Sequence, residues 1–109
     1  MKATVGLFLF LIVFSLNGWA QQIDYDKRNK HIFCSSHLAI VSEMIDEQAD
    51  EFQALAYLSR MHRDEARTLG ANEKHFEDVT AYLNEVRSNN PPKWERLTAR
   101  SKEVCLPNS

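Results

Sequence analysis

The segment Glu43 to Phe52, EMIDEQADEF, decides between two folds. Asp50 followed three residues later by Gln53 resembles a capping box and marks the start of a new helix. Against that break, the segment contains no glycine or proline, and the apolar spacing continues in phase from Ile45 through Gln48 or Ala49 to Phe52, as one uninterrupted helix requires. A break yields four short helices; continuity yields one long helix.

On the N-terminal side, Cys34, Leu38, Val41 and Ile45 recur at spacings of four, three and four, with Phe33, Ile40 and Met44 widening the stripe. This predicts a first helix from about His31 to about Glu47. The preceding stretch, residues 21–30, is polar apart from Ile23 and Tyr25 and reads as a flexible or loosely docked arm. On the C-terminal side, Phe52, Leu55, Ser59, His62, Ala66 and Leu69, with Leu58 and Met61 beside them, predict a second helix ending at Gly70, a residue suited to a C-terminal cap. Asn72 fits an N-cap for a third helix burying Phe76, Val79, Leu83 and Val86. Asn89, Asn90, Pro91 and Pro92 stop it, and because proline is tolerated in a first turn, a fourth helix starts near Pro92 and presents Trp94, Leu97, Ser101, Val104 and Cys105. Runs of Val, Ile and Thr alternating with polar residues are lacking, so strands find no support.

The expected class is therefore all-α: a small up-down four-helix bundle, with a long helical hairpin, helices 1 and 2 continuous, as the alternative. The bundle is favoured because it buries its own apolar faces, whereas the hairpin leaves one side needing a partner. The two cysteines, Cys34 and Cys105, admit a single intramolecular pairing. That crosslink suits either fold. In an up-down bundle the start of helix 1 and the end of helix 4 share an end, and in the hairpin outward and return paths of roughly 52 Å and 54 Å match.

Upstream, Lys2 precedes the apolar run Val5 to Leu16, and Gly18 and Ala20 stand at minus three and minus one of a cleavage point before Gln21. This is the layout of a secretory signal peptide, residues 1–20, which touches a membrane only during export. It directs the chain to the periplasm or outside the cell, where a disulfide is expected. The expected division is signal peptide 1–20, arm 21–30 and a single helical domain 31–109. Without Lys2 the 13 Lys and Arg become 12 against 15 Asp and Glu, a net charge of −3 with neutral histidines. Nucleic acid is thereby disfavoured as a partner, since phosphate binding needs a concentrated positive field. His31, His37, His62 and His75 together carry the mature protein to about +1 on mild acidification.

Chemistry-bearing patterns are sparse. Cys34 and His37 lie three apart, but zinc wants four ligands and no second closely spaced pair exists. His62 with Glu65 reverses the Glu-x-x-His order of bundle di-metal sites, without a repeat, and reads as a core-edge histidine satisfied by polar neighbours. Neither a metal site nor a cofactor is expected. Ser35 and Ser36 beside His37 do not form a nucleophile system, because adjacent helical residues do not face one another. Arg60, Arg63 and Arg67 share a helix face, interleaved with Asp64 and Glu65, and read as surface ion-pairing groups. Tyr57, Tyr82 and Trp94 read as core and rim aromatics. Glu43, Asp46, Glu47, Asp50 and Glu51 place five acids in nine residues without an EF-hand pattern: a solvated corner, and the candidate surface for a basic partner.

With no catalytic constellation, the expected activity is protein–protein interaction of an inhibitor, immunity or assembly type, by a monomer or homodimer, rather than catalysis. In size, export and single crosslink the chain resembles small helical periplasmic proteins, including acid-activated chaperones. An acid-stress chaperone and a small-ligand or metal carrier are the alternatives.

Overall fold

A computed structural model describes residues 23–107 of the 109-residue chain. The expected signal peptide, its expected cleavage point between Ala20 and Gln21, and the first two residues of the expected arm lie outside the described residues.

Four helices follow one another: α1 Tyr25–Glu43, α2 Asp50–Thr68, α3 Glu73–Asn89 and α4 Pro91–Val104. The break between α1 and α2 is real, and its chemistry is local. The Ser42 hydroxyl donates to the Ala39 carbonyl at 2.8 Å, while the Met44 and Ile45 amides donate back to Val41 and Ser42 as the last turn tightens. The Asp46 carboxylate then accepts from the Gln48 amide at 2.9 Å, and the Ala49 amide bonds the Asp46 carbonyl. Asp46 thus makes an aspartate turn that competes with helix continuation. The expected Asp50–Gln53 capping box is not what starts α2: Ala49 occupies the cap position without a side-chain bond, and Asp50 and Glu51 supply negative charge in the first turn.

α1 begins six residues before the expected start. Asp24 caps it, its carboxylate accepting from the Lys27 amide at 3.0 Å, so Tyr25 to Lys30, expected as an arm, are helical. Those residues face solvent, and an apolar stripe cannot mark a turn that buries nothing. The other boundaries follow the expected signals. Gly70 takes φ +99° after α2, and the Ala71 and Gly70 amides return to the Ala66 and Arg67 carbonyls in a Schellman closure. Asn72 caps α3 reciprocally with His75: Asn72 accepts from the His75 amide and the His75 ring accepts from the Asn72 amide. Asn90 ends α3 and caps α4, with Pro91 and Pro92 in the first turn.

The bundle is centred on α1, which packs against all three other helices, whereas α2 approaches only α1 at the backbone level and α4 lies on α1 and α3. α2 runs antiparallel to α1, pairing His31 with His62 and Ser35 with Ser59. α4 also descends antiparallel, joining Cys34 to Cys105 and His37 to Thr98. One apolar cluster gathers Ile32, Ala66, Ala71 and Phe76, with Val79 against it; a second gathers Cys34, Leu38, Leu55 and Cys105. Ile32 and Cys34 are about 200° apart around the helix, so α1 forms a wall between two half-cores.

Candidate functional site

A helix buried on several sides is expected to be apolar all round. α1 instead buries His31, Ser35, Ser36, His37 and Ser42 among its apolar residues. Each buried polar group needs a partner or it destabilises the fold, and these partners create the most structured polar region of the molecule, the seam where α1 meets α2 and α4.

At the lower part of the seam, His31 and His62 face each other with Nδ1 to Nδ1 at 2.8 Å and ring centroids 5.0 Å apart. His62 Nε2 lies 2.8 Å from the Cys105 carbonyl oxygen. A carbonyl only accepts, so Nε2 carries a proton. One further proton sits between the two Nδ1 atoms, and the pair is incompatible with both rings being charged. Burial, and next the neighbouring His62, hold the His31 ring below the usual histidine range; Lys30 and Lys27 act in the same direction, opposed by Glu65. The bonded Cys105 is thus held twice, through its sulfur to Cys34 and through its carbonyl to His62. One turn along, the Ser59 hydroxyl donates to the Ser35 carbonyl at 2.7 Å.

Higher on α1, His37 is 1 % exposed. Its ring stacks on Trp94 at 4.8 Å and tilts against Phe33 at 5.4 Å, and Nε2 shares a 3.1 Å hydrogen bond with the Thr98 hydroxyl. Burial lowers its pKa to about 4, so the ring is neutral at pH 7. His37 Nδ1 is a buried side-chain nitrogen without a hydrogen-bond partner. His37 and Thr98 line a cavity of about 80 Å³ between α1, the start of α2 and α4.

On the opposite side, Arg63 and Arg67 of α2 both pair with Glu73 at the start of α3, Arg63 at 2.8 Å, and both guanidinium groups lie over the Phe76 ring. The arginines hold the Glu73 carboxyl below its usual range, Arg67 chiefly through a hydrogen bond. The ion pairing expected of this face therefore comes from the next helix rather than from Asp64 and Glu65. Arg63, Glu73 and Phe76, with Glu77, Thr80 and Asn84, border an open groove of about 420 Å³.

Glu43, Asp46, Glu47, Asp50 and Glu51 are all exposed and gather at the α1–α2 bend. Asp46 shapes the turn, and Glu51 reaches the rim of the His37 cavity. Trp94 is half-buried, as a core-edge aromatic should be, but Tyr57 and Tyr82 are exposed, and Met61, placed beside the buried stripe of α2, is outside it. Among the described residues no group of three or more His, Cys, Asp or Glu could hold a metal ion. Cys34 and His37 do not act together, since Cys34 is bonded to Cys105 and His37 turns to α4.

Sequence reasoning found His62 with polar neighbours but not the roles of His31, His37 and Thr98. The available signal was spacing: His31 and His37 flank Cys34 at minus three and plus three and so share its side of the helix. Comparison with known protein families, with curated proteins and with solved structures gives no significant match to this chain.

Proposed function

We propose that this is an exported binding module that docks another protein on the outer face of α2. The observation that carries the reading is one-sided packing. At the backbone level α2 approaches only α1, its side chains reach α3 and α4 along the edges of that contact, and Tyr57 and Met61, one turn apart on its far side, stand 56 % and 46 % exposed. Tyrosine and methionine are favoured at protein interfaces. The acidic bend at Asp46, Glu47 and Asp50 continues this face at one end and supplies charge for a basic rim on the partner. The formed disulfide supports an oxidising compartment for the mature chain.

Affinity capture from the native compartment, with the oxidised protein and a Tyr57→Ser, Met61→Ser double variant side by side, tests the reading. A defined protein retained by the parent and lost by the double variant, at unchanged melting temperature, is the expected result. Equal capture by both removes the α2 face from the proposal.

The buried histidines favour one second reading, an acid-responsive chaperone. Charging His31 and His37, whose rings burial keeps neutral, opposes the packing of α1 against α2 and α4 and exposes apolar surface. Unchanged hydrophobic-dye binding from pH 7 to pH 4 removes this alternative.

A further inference from the structure

The contact between His31 and His62 carries an inference that goes beyond the α2 docking face and does not depend on it. Its hydrogen bonds run in one order. The Cys105 carbonyl only accepts, so His62 carries its proton on Nε2, and in the neutral ring Nδ1 is left with a lone pair. His31 must then donate from Nδ1 across the 2.8 Å gap, which leaves its own lone pair on Nε2. The ring centroids, at 5.0 Å, are further apart than the two nitrogens by about the two ring radii, so each Nδ1 points along the line of centres and the bond is close to linear. It lies at an inner seam: His31 is buried, Ile32 and Ala66 belong to the neighbouring apolar cluster, and the Ser59–Ser35 bond follows one turn along.

We propose that His31 and His62 form a two-proton latch between α1 and α2, which keeps its hydrogen bond with one added proton and releases α2 from α1 with the second. The first proton goes to the lone pair on His31 Nε2. It makes one imidazolium, whose Nδ1–H still donates to the neutral His62 ring, so the contact persists. A second proton has only His62 Nδ1 to go to. Both Nδ1 atoms then carry hydrogen and neither accepts, and two positive rings face each other where His31 is buried. The charges acting on His31 come from both helices of the seam. Lys30 and Lys27 of α1 oppose a positive ring, Glu65 of α2 favours one, and among the described residues α3 and α4 add none. What α4 presents is the Cys105 carbonyl, and His62 Nε2 keeps its hydrogen in every one of these states. The bond that gives way is therefore the one between α1 and α2, while the end of α4 stays attached.

The test is an acid titration of the oxidised protein, ¹⁵N-labelled at histidine and followed by magnetic resonance from about pH 8, where an exposed histidine is neutral. At the start, His62 should be protonated on Nε2 and His31 on Nδ1, with a through-bond coupling between the two Nδ1 nitrogens. The coupling should survive the first protonation, read at His31 Nε2, and vanish with the second. Relative to α3, whose amides follow the stability of the whole fold, hydrogen exchange in the α2 turns around His62 should then quicken about tenfold per pH unit, as an opening that takes up one proton requires. His62→Gln keeps a donor for the Cys105 carbonyl and an acceptor for His31 but takes no second proton, so this step disappears. His31→Gln removes it equally and keeps the test decisive if the first variant does not fold. Absence of the coupling at the start, its loss on the first proton, or an acid step that persists in the folded variants overturns the proposal. Capture of a protein through Tyr57 and Met61, or failure to capture one, changes none of these outcomes.

Discussion

His37 shows how a single side chain links burial to pH. Its folded pKa, about 4, is below the 6.5 of an exposed histidine. Between those values the unfolded chain binds the proton that the folded chain refuses, so stability is fully present above pH 6.5 and falls as the pH drops toward 4. The loss is about 3 kcal/mol by linkage. His31, displaced in the same direction, adds to it with the same sign. Chemical denaturation at a series of pH values should show this slope in the parent protein and a shallower one in His37→Phe; parallel profiles would refute the assignment. Leu83 provides the apolar counterpart. It is 1 % exposed, and Leu83→Ala should cost about 3 kcal/mol in the same assay. The burial of Leu83 was legible from the 76–79–83–86 spacing, whereas the partner of His37 was not, because Thr98 lies 61 residues away and contributes no local signal.

Helix ends were the most readable elements. Asn72, Asn90, Gly70 and the Pro91–Pro92 pair act through bonds to residues within a few positions, so their effect is written in the local sequence. Gly70→Ala makes only an ordinary van der Waals contact, with the Ile23 side chain at 3.8 Å, so the cost comes from φ +99° and should be about 1 kcal/mol. Asn72→Ala removes the side-chain half of a reciprocal cap and should cost a similar amount, about 1 kcal/mol. Thermal unfolding of the two variants checks both, and a larger loss in Gly70→Ala would mean that the residue packs as well as turns. The α1–α2 junction was ambiguous for a corresponding reason. Its apolar phase favours continuity, while the Asp46 turn that breaks the helix uses a residue equally at home on an exposed helix surface. The early start of α1 leaves no mark in the apolar pattern, because its first turn is stabilised by a cap and buries no stripe.

The molecule as a whole depends on α1. Placed against three neighbours, it divides the core in two, and the Cys34–Cys105 bond ties the chain's last turn to that central helix across 71 residues. Closing a loop of that length restricts the unfolded chain and contributes about 4 kcal/mol. Reduction should lower the denaturation midpoint accordingly. It should also loosen the end of α4, because of the two bonds that tie Cys105 to other helices only the one to His62 then remains. Hydrogen exchange in the last turn of α4 should accelerate on reduction more than exchange in α3; uniform acceleration would show that the bond acts only through the unfolded state.

Composition, periodicity and capping chemistry were sufficient for an all-α chain, most helix boundaries, the apolar face of α3 and the pairing of the cysteines, because each rests on contacts close in sequence or on there being one possible partner. Which helix occupies the centre was a tertiary matter. α1 and α2 both carry apolar stripes, and only the assembled packing makes α1 buried on several sides and leaves Tyr57 and Met61 of α2 outside. The histidine contacts belong to the same category. A ring nitrogen bonds whatever the fold brings within about 3 Å, and for His31, His37 and His62 those atoms arrive from helices 31 to 61 residues distant along the chain.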